Sequence, residues 1–75
     1  MSLEVKIIVI NEYGRFVGRT SVVSYEDYNN ICNIAKSFYT KGGFELTLED
    51  DNYVIFPPDI VQKSILKIEK KEINV

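Results

Sequence analysis

The sequence predicts an α+β domain in which a mostly antiparallel sheet of four to five strands carries one amphipathic helix on one face. Two patterns point to this class: short alternating apolar segments occur in pairs joined by turn-forming residues, and one central segment has helical periodicity. Size agrees with it, since 75 residues, 45% of them hydrophobic, suit a single small domain over residues 1–75. The predicted order is β-β-α-β-β-(short helical turn)-β.

The first two predicted strands form a hairpin. Residues 3–10 are rich in β-branched side chains and place Leu3, Val5, Ile7 and Val9 on one face, and residues 15–23 are predicted to form the second strand. Residues 11–14 read Asn-Glu-Tyr-Gly, in which Asn and Gly both tolerate turn conformations. With these four residues as the loop, the expected pairs are Ile10 with Arg15, Ile8 with Val17, and Lys6 with Arg19. The face expected to meet the helix then carries Leu3, Val5, Ile7, Val9, Phe16, Thr20 and Val22.

A helix is predicted to begin after Ser24. Ser24 is a preferred N-cap residue, and Glu26 and Asp27 lie in the first turn, where the helix dipole favours acids. Gly42 and Gly43 are expected to end the helix. The apolar residues recur at helical spacing and are Tyr28, Ile31, Cys32, Ala35, Phe38 and Tyr39.

A second hairpin is predicted after the glycines. Residues 44–49 alternate, residues 50–52 have turn chemistry, and residues 53–56 form the returning strand, which Pro57 and Pro58 end. A two-residue loop would place Leu46 opposite Ile55 on the helix side of the sheet, and Glu45 opposite Phe56 on the other side. A three-residue loop would change these pairs.

The last segment allows two interpretations. A helix starting after Pro58 and Asp59 fits the apolar spacing, and so does a strand over its second half. We favour a short helical turn over residues 59–63 followed by a strand over residues 64–70. The chain from Lys70 onward is expected to fray.

These registers leave apolar residues on the sheet face opposite the helix. A half-apolar face of a monomer usually marks a partner surface or a sheet that curls over itself. Three outcomes are open: a small closed barrel, two copies stacked face to face, or a foreign protein that covers the face. We favour a homodimer, with a larger protein partner as the alternative. The expected interface consists of Ile8, Ile10, Val17, Val54 and Phe56.

The same face carries a cationic strip, defined as Lys6, Arg15 and Arg19. Together with Tyr13 at the hairpin tip, the strip suggests a small RNA- or DNA-binding domain as the alternative function. The formal net charge of −2 argues against it, because nucleic-acid binders usually carry a surplus of basic residues. Pairing of the strip with Glu4 and Glu45 on a solvated strand is the simpler interpretation.

The composition excludes much catalytic chemistry. With no His and only Cys32, the chain lacks the residues for a disulfide, a zinc finger, or Ser–His and Cys–His catalysis. No glycine-rich phosphate loop is present. We therefore predict no catalytic residue, no metal ligand and no cofactor, and we expect Cys32 in the core.

Two further residue groups have structural interpretations. Glu49, Asp50 and Asp51, with Asp59 further on, lack the spacing of a calcium loop and are expected in a solvated turn. Tyr28, Tyr39 and Tyr53 are expected at the edge of the core with their hydroxyls in water, as is common for tyrosine.

The sequence also predicts where the protein is located and what kind of genome encodes it. The longest aliphatic run, residues 7–10, is far too short to span a membrane, so we expect a cytoplasmic protein. Ile, Lys and Asn make up 23 of 75 residues, a bias that an A/T-rich genome would give, such as that of many phages, plasmids or low-GC bacteria. A phage or mobile element is the expected source. The predicted function is a small non-enzymatic protein–protein interaction or accessory module that self-associates.

Overall fold

The computed structural model describes residues 2–40 and 42–73. Within them the α+β class and the order of elements are confirmed. The predicted second strand is divided in two, so that the described chain contains six strands and two α-helices. The elements are β1 (Ser2–Asn11), β2 (Gly14–Val17), β3 (Ser21–Val23), α1 (Tyr25–Ala35), β4 (Phe44–Thr47), β5 (Tyr53–Phe56), α2 (Pro58–Val61) and β6 (Ile65–Ile73).

Strand β1 is the centre of the main sheet. β6 pairs antiparallel with it along one side, from Ser2 opposite Ile73 to Ile10 opposite Ile65. β2 and β3 follow one another along the other side. The predicted pairs of Ile10 with Arg15 and of Ile8 with Val17 are both present. In its second half β1 has apolar residues on both faces, and the neighbours Ile8 and Val9 are both fully buried.

The predicted pair of Lys6 with Arg19 is wrong, because the chain bulges between β2 and β3. The backbone N–H of Gly18 donates to the carbonyl of Ile7 at 2.7 Å, whereas Ser21 lies opposite Val5. Two residues, Arg19 and Thr20, therefore oppose one residue of β1, which defines a β-bulge. The bulge shifts the register by one residue. Val22, expected on the helix side, lies opposite Glu4 on the other face.

The second hairpin also has a register one residue away from the expected one. Leu46 lies opposite Val54, and Phe44 lies opposite Phe56. The reason is a three-residue loop: the N–H of Leu48 donates to the carbonyl of Asn52 at 2.7 Å. Asp51 within this loop adopts a φ of 68°. Asp tolerates that left-handed conformation better than most residues, and three-residue loops commonly require it.

Helix α1 begins as expected and ends earlier. The Ser24 side chain accepts a hydrogen bond from the N–H of Asp27 at 3.1 Å, as an N-cap should. The α-helix stops at Ala35, and a 3₁₀ turn over Phe38–Thr40 follows. The hydroxyl of Ser37 donates to the carbonyl of Ile34 at 2.7 Å. This local bond competes with the regular helical pattern just where the predicted helix is interrupted.

The C-terminal prediction is confirmed in kind and wrong in extent. α2 is the short helical turn, and β6 is the following strand. The strand continues to Ile73 instead of fraying at Lys70. It does so because β1 begins at Ser2 and offers a partner over this whole length, including Glu4 opposite Lys71.

The core lies between the main sheet and the second hairpin. The Phe16 and Phe56 rings pack edge to face with their centres 5.2 Å apart, and the Phe38 and Phe44 rings do so with their centres 4.8 Å apart. No residue of α1 is fully buried, so the helix covers the sheet only partly. The central cluster of buried residues is Val9, Phe38, Leu46, Phe56 and Val61.

We predict that Gly18→Ala destabilises the fold. A Cβ atom at Gly18 would lie 2.8 Å from the Ile7 carbonyl oxygen and 3.0 Å from a Leu46 methyl group. Relieving these contacts should cost roughly 1–3 kcal/mol of unfolding free energy, as overpacking commonly does. Chemical denaturation measures the loss. Thr20→Ala, at an exposed position in the same bulge, is the control. Equal stability of the two variants would contradict the prediction.

Candidate functional site

The side of β6 that faces away from β1, called here the β6 edge, is open. The hydrogen bond from Gly18 to Ile7 places the backbone groups of Ile7 on the β2 side of β1. Ile68 lies directly opposite Ile7. Ile7 and Ile68 therefore form a non-hydrogen-bonded pair, in which the N–H and C=O of each residue point away from the other strand. The backbone groups of Ile68 therefore point outward, toward solvent.

Alternation extends this result along the strand. The outward groups belong to Leu66, Ile68, Lys70 and Glu72, because successive residues of a strand point their backbone groups to opposite sides. Among residues 2–40 and 42–73, β6 pairs with β1 and with no other strand. None of the backbone hydrogen bonds in this part of the chain reaches these outward groups. β6 is thus a nine-residue edge strand.

Helix α1 lies over one face of β6. The Tyr25 hydroxyl donates to the Glu72 carboxylate at 2.6 Å, which raises the pKa of this tyrosine. Further along the helix, the Lys70 ammonium lies 4.9 Å from the centre of the Tyr28 ring, within the range of a cation–π contact. Both contacts hold β6 from above and leave its edge uncovered.

The opposite face of β6 carries a ladder of charges. Lys6 lies opposite Glu69, and Glu4 lies opposite Lys71. The Lys67 ammonium is 3.1 Å from the Glu69 carboxylate. This hydrogen bond, together with the positive charges of Lys67, Arg15 and Lys6, lowers the pKa of Glu69. The ladder lies on a face of β6 and leaves its edge uncovered.

The structure places an acid near each member of the cationic strip. Lys6 lies 3.6 Å from Glu49, and Arg19, displaced by the bulge, lies 3.4 Å from Asp51. Arg15 acts on Glu69 through its charge. Each cation therefore has an acid near it, and the three do not form a continuous positive surface. Tyr13 is exposed at the hairpin tip. Nucleic-acid binding stays a prediction.

The five residues expected to form an interface do not share an exposed face. Ile8 and Phe56 are buried, with 0% and 3% of their surface accessible. Ile10, Val17 and Val54 are half-buried. The shifted register of the second hairpin turns Val54 and Phe56 toward the core and away from the face on which they were expected.

Other apolar residues are exposed instead. Tyr53 and Ile55 point outward from the second hairpin, where the expected register had placed both on the helix side. Ile34 of α1, which lies outside the predicted apolar stripe, is 61% exposed. It lines an apolar groove of about 250 Å³ that also includes Ile31, Phe44 and Leu66. The groove lies beside the first half of β6.

The buried polar residue Ser64 has a structural role. Its hydroxyl donates to the Ile60 carbonyl at 2.7 Å and accepts from the Asn11 side chain at 3.1 Å. The Tyr39 hydroxyl donates to its carbonyl at 2.6 Å. These bonds join α2 to the end of β1 and satisfy the polar groups of Ser64.

The described residues contain neither a metal-binding cluster nor a membrane-spanning helix. Over residues 2–40 and 42–73, no three His, Cys, Asp or Glu side chains are grouped closely enough to hold a metal ion. Cys32 is half-buried and contacts Tyr28, whose pKa the hydrogen bond between them raises. No helix in this part of the chain has the length and apolar character needed to cross a membrane.

Sequence reasoning missed the β6 edge because it left the last segment short and ambiguous. The signal was weak: residues 65–73 contain no Pro or Gly, and Lys67, Glu69 and Lys71 occupy alternate positions, but apolar and charged residues do not alternate along the whole segment. A comparison of the chain with models of protein families, with curated proteins and with solved structures found no match. Function is therefore inferred from the surfaces that the fold leaves open.

We predict that acid weakens the contribution of Glu69 to stability. Lys67 holds the pKa of Glu69 below its ordinary value of 4.5 in the folded chain. The contribution is thus complete above pH 4.5 and is lost as the pH falls through the lower, folded-state pKa. In urea titrations, the stability difference between the wild type and Glu69→Gln should be larger near neutral pH than in strong acid.

Lys67→Gln tests the cause of this effect. Removing the ammonium should abolish most of the pH dependence that Glu69 contributes, because the hydrogen bond from Lys67 is its largest source. The prediction would be contradicted if the free energies of unfolding of the wild type and Glu69→Gln differed by the same amount near neutral pH and in strong acid.

Proposed function

We propose that this chain is a small non-enzymatic protein-interaction module that self-associates by pairing the β6 edges of two copies. The observation that carries the proposal is the row of outward N–H and C=O groups at Leu66, Ile68, Lys70 and Glu72. Such a row is a template for pairing with another strand, and strand addition is a common mode of protein recognition. The free strand is long and regular.

A second copy is the occupant that fits best. Two identical edges in antiparallel orientation are related by a two-fold axis, so each group on one copy meets its complement on the other. Each new backbone hydrogen bond contributes roughly 0.5–1.5 kcal/mol net. A domain of this size buries little surface of its own and gains stability from association.

Natural edge strands are often protected against such pairing. The usual devices are Pro, a β-bulge, a very short strand, or charged side chains, especially Lys. β6 has no Pro or Gly, pairs regularly with β1 over nine residues, and mixes Lys with Glu. Charge is its only device, and the mixed sign allows attraction between two copies as well as repulsion.

Lys70→Pro tests this proposal. The N–H of Lys70 points outward, so proline removes a donor for the second copy without removing a bond to β1. We expect wild type at high concentration to have about twice the 8.7 kDa chain mass by light scattering, and Lys70→Pro to have the mass of one chain. Lys70→Ala keeps the N–H and is the matched control, expected to behave as the wild type.

Two results would overturn the proposal. One is a wild type that stays at the mass of one chain up to millimolar concentration. The other is a Lys70→Pro variant that is folded, by circular dichroism, and still has the dimer mass. A larger complex with another protein that survives Lys70→Pro would likewise place the binding surface elsewhere.

A further inference from the structure

We infer that the two β6 strands pair in one specific register, with the two-fold axis at Ile68 and with Lys67 opposite Glu69 of the second copy. This inference rests on the proposed self-association and adds the contacts that define its specificity. It follows from the sequence of β6 and the direction of its backbone groups.

Symmetry restricts the possible registers. Residues that lie opposite one another in an antiparallel pair share a face of the sheet, so the axis must pass through a residue of β6 and not between two residues. An axis at Lys67, Lys70 or Lys71 would place two identical lysines opposite each other. An axis at Glu69 would do the same with two glutamates and would also pair Lys67 with Lys71. Like charges directly opposite are destabilising.

An axis at Ile68 avoids every such clash. Ile68 then lies opposite Ile68 of the second copy, and a Lys67–Glu69 pair forms on each side of the axis. The next positions place Leu66 opposite Lys70, and Ile65 opposite Lys71. Seven residues of each strand overlap in this register. An axis at Leu66 also lacks like-charge pairs, but only three residues of each strand would then overlap.

The backbone agrees with the side chains. The N–H and C=O of Ile68 point outward, so the two Ile68 residues at the axis exchange two hydrogen bonds. Leu66 and Lys70, whose groups also point outward, exchange bonds with Lys70 and Leu66 of the second copy. The register thus forms about six hydrogen bonds between the copies, and it leaves no outward group of these three residues unpaired.

The apolar groove beside α1 adjoins this contact. Leu66 lines the groove together with Ile34. In the proposed register Lys70 of the second copy lies directly opposite Leu66 on the same face, with the two Cβ atoms about 5 Å apart. Lys70 lies over the Tyr28 ring. The second copy therefore brings its own Lys70 and Tyr28 to the mouth of the groove, which is open in a single chain.

A charge swap tests the register. Lys67→Glu alone places two pairs of glutamates across the axis, and Glu69→Lys alone places two pairs of lysines there. Each should weaken the dimer about tenfold or more, as two repulsive pairs in place of two attractive ones predict. An equimolar mixture of the two variants should form a heterodimer, and the double variant K67E/E69K should form a homodimer again, both near the wild-type dissociation constant.

Lys71→Glu is the matched control. It makes the same charge change on the same face, and in this register it faces Ile65 of the second copy, so its dissociation constant should stay close to the wild type. Analytical ultracentrifugation gives the constants, and thermal unfolding monitors the fold of each variant at a dilution where all are monomeric.

The outcomes separate this inference from the proposed function. If the wild type dimerises through the edge but the mixed variants do not recover, or if Lys71→Glu weakens the dimer more than Lys67→Glu, the register is wrong and self-association stands. If the wild type does not dimerise at all, the proposed function fails first. Recovery in both the mixture and the double variant supports the register.

Discussion

The close approach of two backbones at Gly18 is the constraint on which the rest of this fold depends. Gly18 donates to Ile7 at 2.7 Å, and a side chain there would collide with the Ile7 carbonyl. On its other side the same residue forms a bridge to Leu48 at the end of the second hairpin. One small residue thus joins the central strand to the hairpin that closes the core. The bulge that follows lets β3 continue along β1 in a shifted register.

This arrangement joins the β2 edge of the main sheet to the second hairpin and leaves the β6 edge open. The connection consists of the bridge between Gly18 and Leu48 and of the hydrogen bond that the N–H of Arg19 donates to the Thr47 carbonyl. On the far side nothing in the described chain follows β6. Both the partial cover by α1 and the alternating charges of β6 are consistent with a sheet completed by a second copy.

Much of the fold is predictable from local chemistry, and the registers are not. The Ser24 cap, the first hairpin turn and the Pro57-Pro58 stop act over a few residues, so the sequence reports them directly. The bulge after Gly18 depends on a contact with Leu46, far along the chain. Likewise the choice of a three-residue loop over a two-residue loop moves Phe56 from the expected outer face into the core. Period-two alternation makes any one-residue error reverse a whole face, and this is why Val54 and Phe56 lie on the core side of the second hairpin and not on the expected face.

The most direct test of self-association through β6 is to measure amide hydrogen exchange along this strand by NMR at two protein concentrations. In dilute solution the N–H groups of Lys67, Glu69 and Lys71 should be protected by β1, while those of Leu66, Ile68 and Lys70 exchange quickly. At a concentration where the chain dimerises, these three should become protected as well, with Ile68 at the axis the slowest. Fast exchange at all three positions at every concentration would contradict the account, and so would protection of them in the dilute monomer.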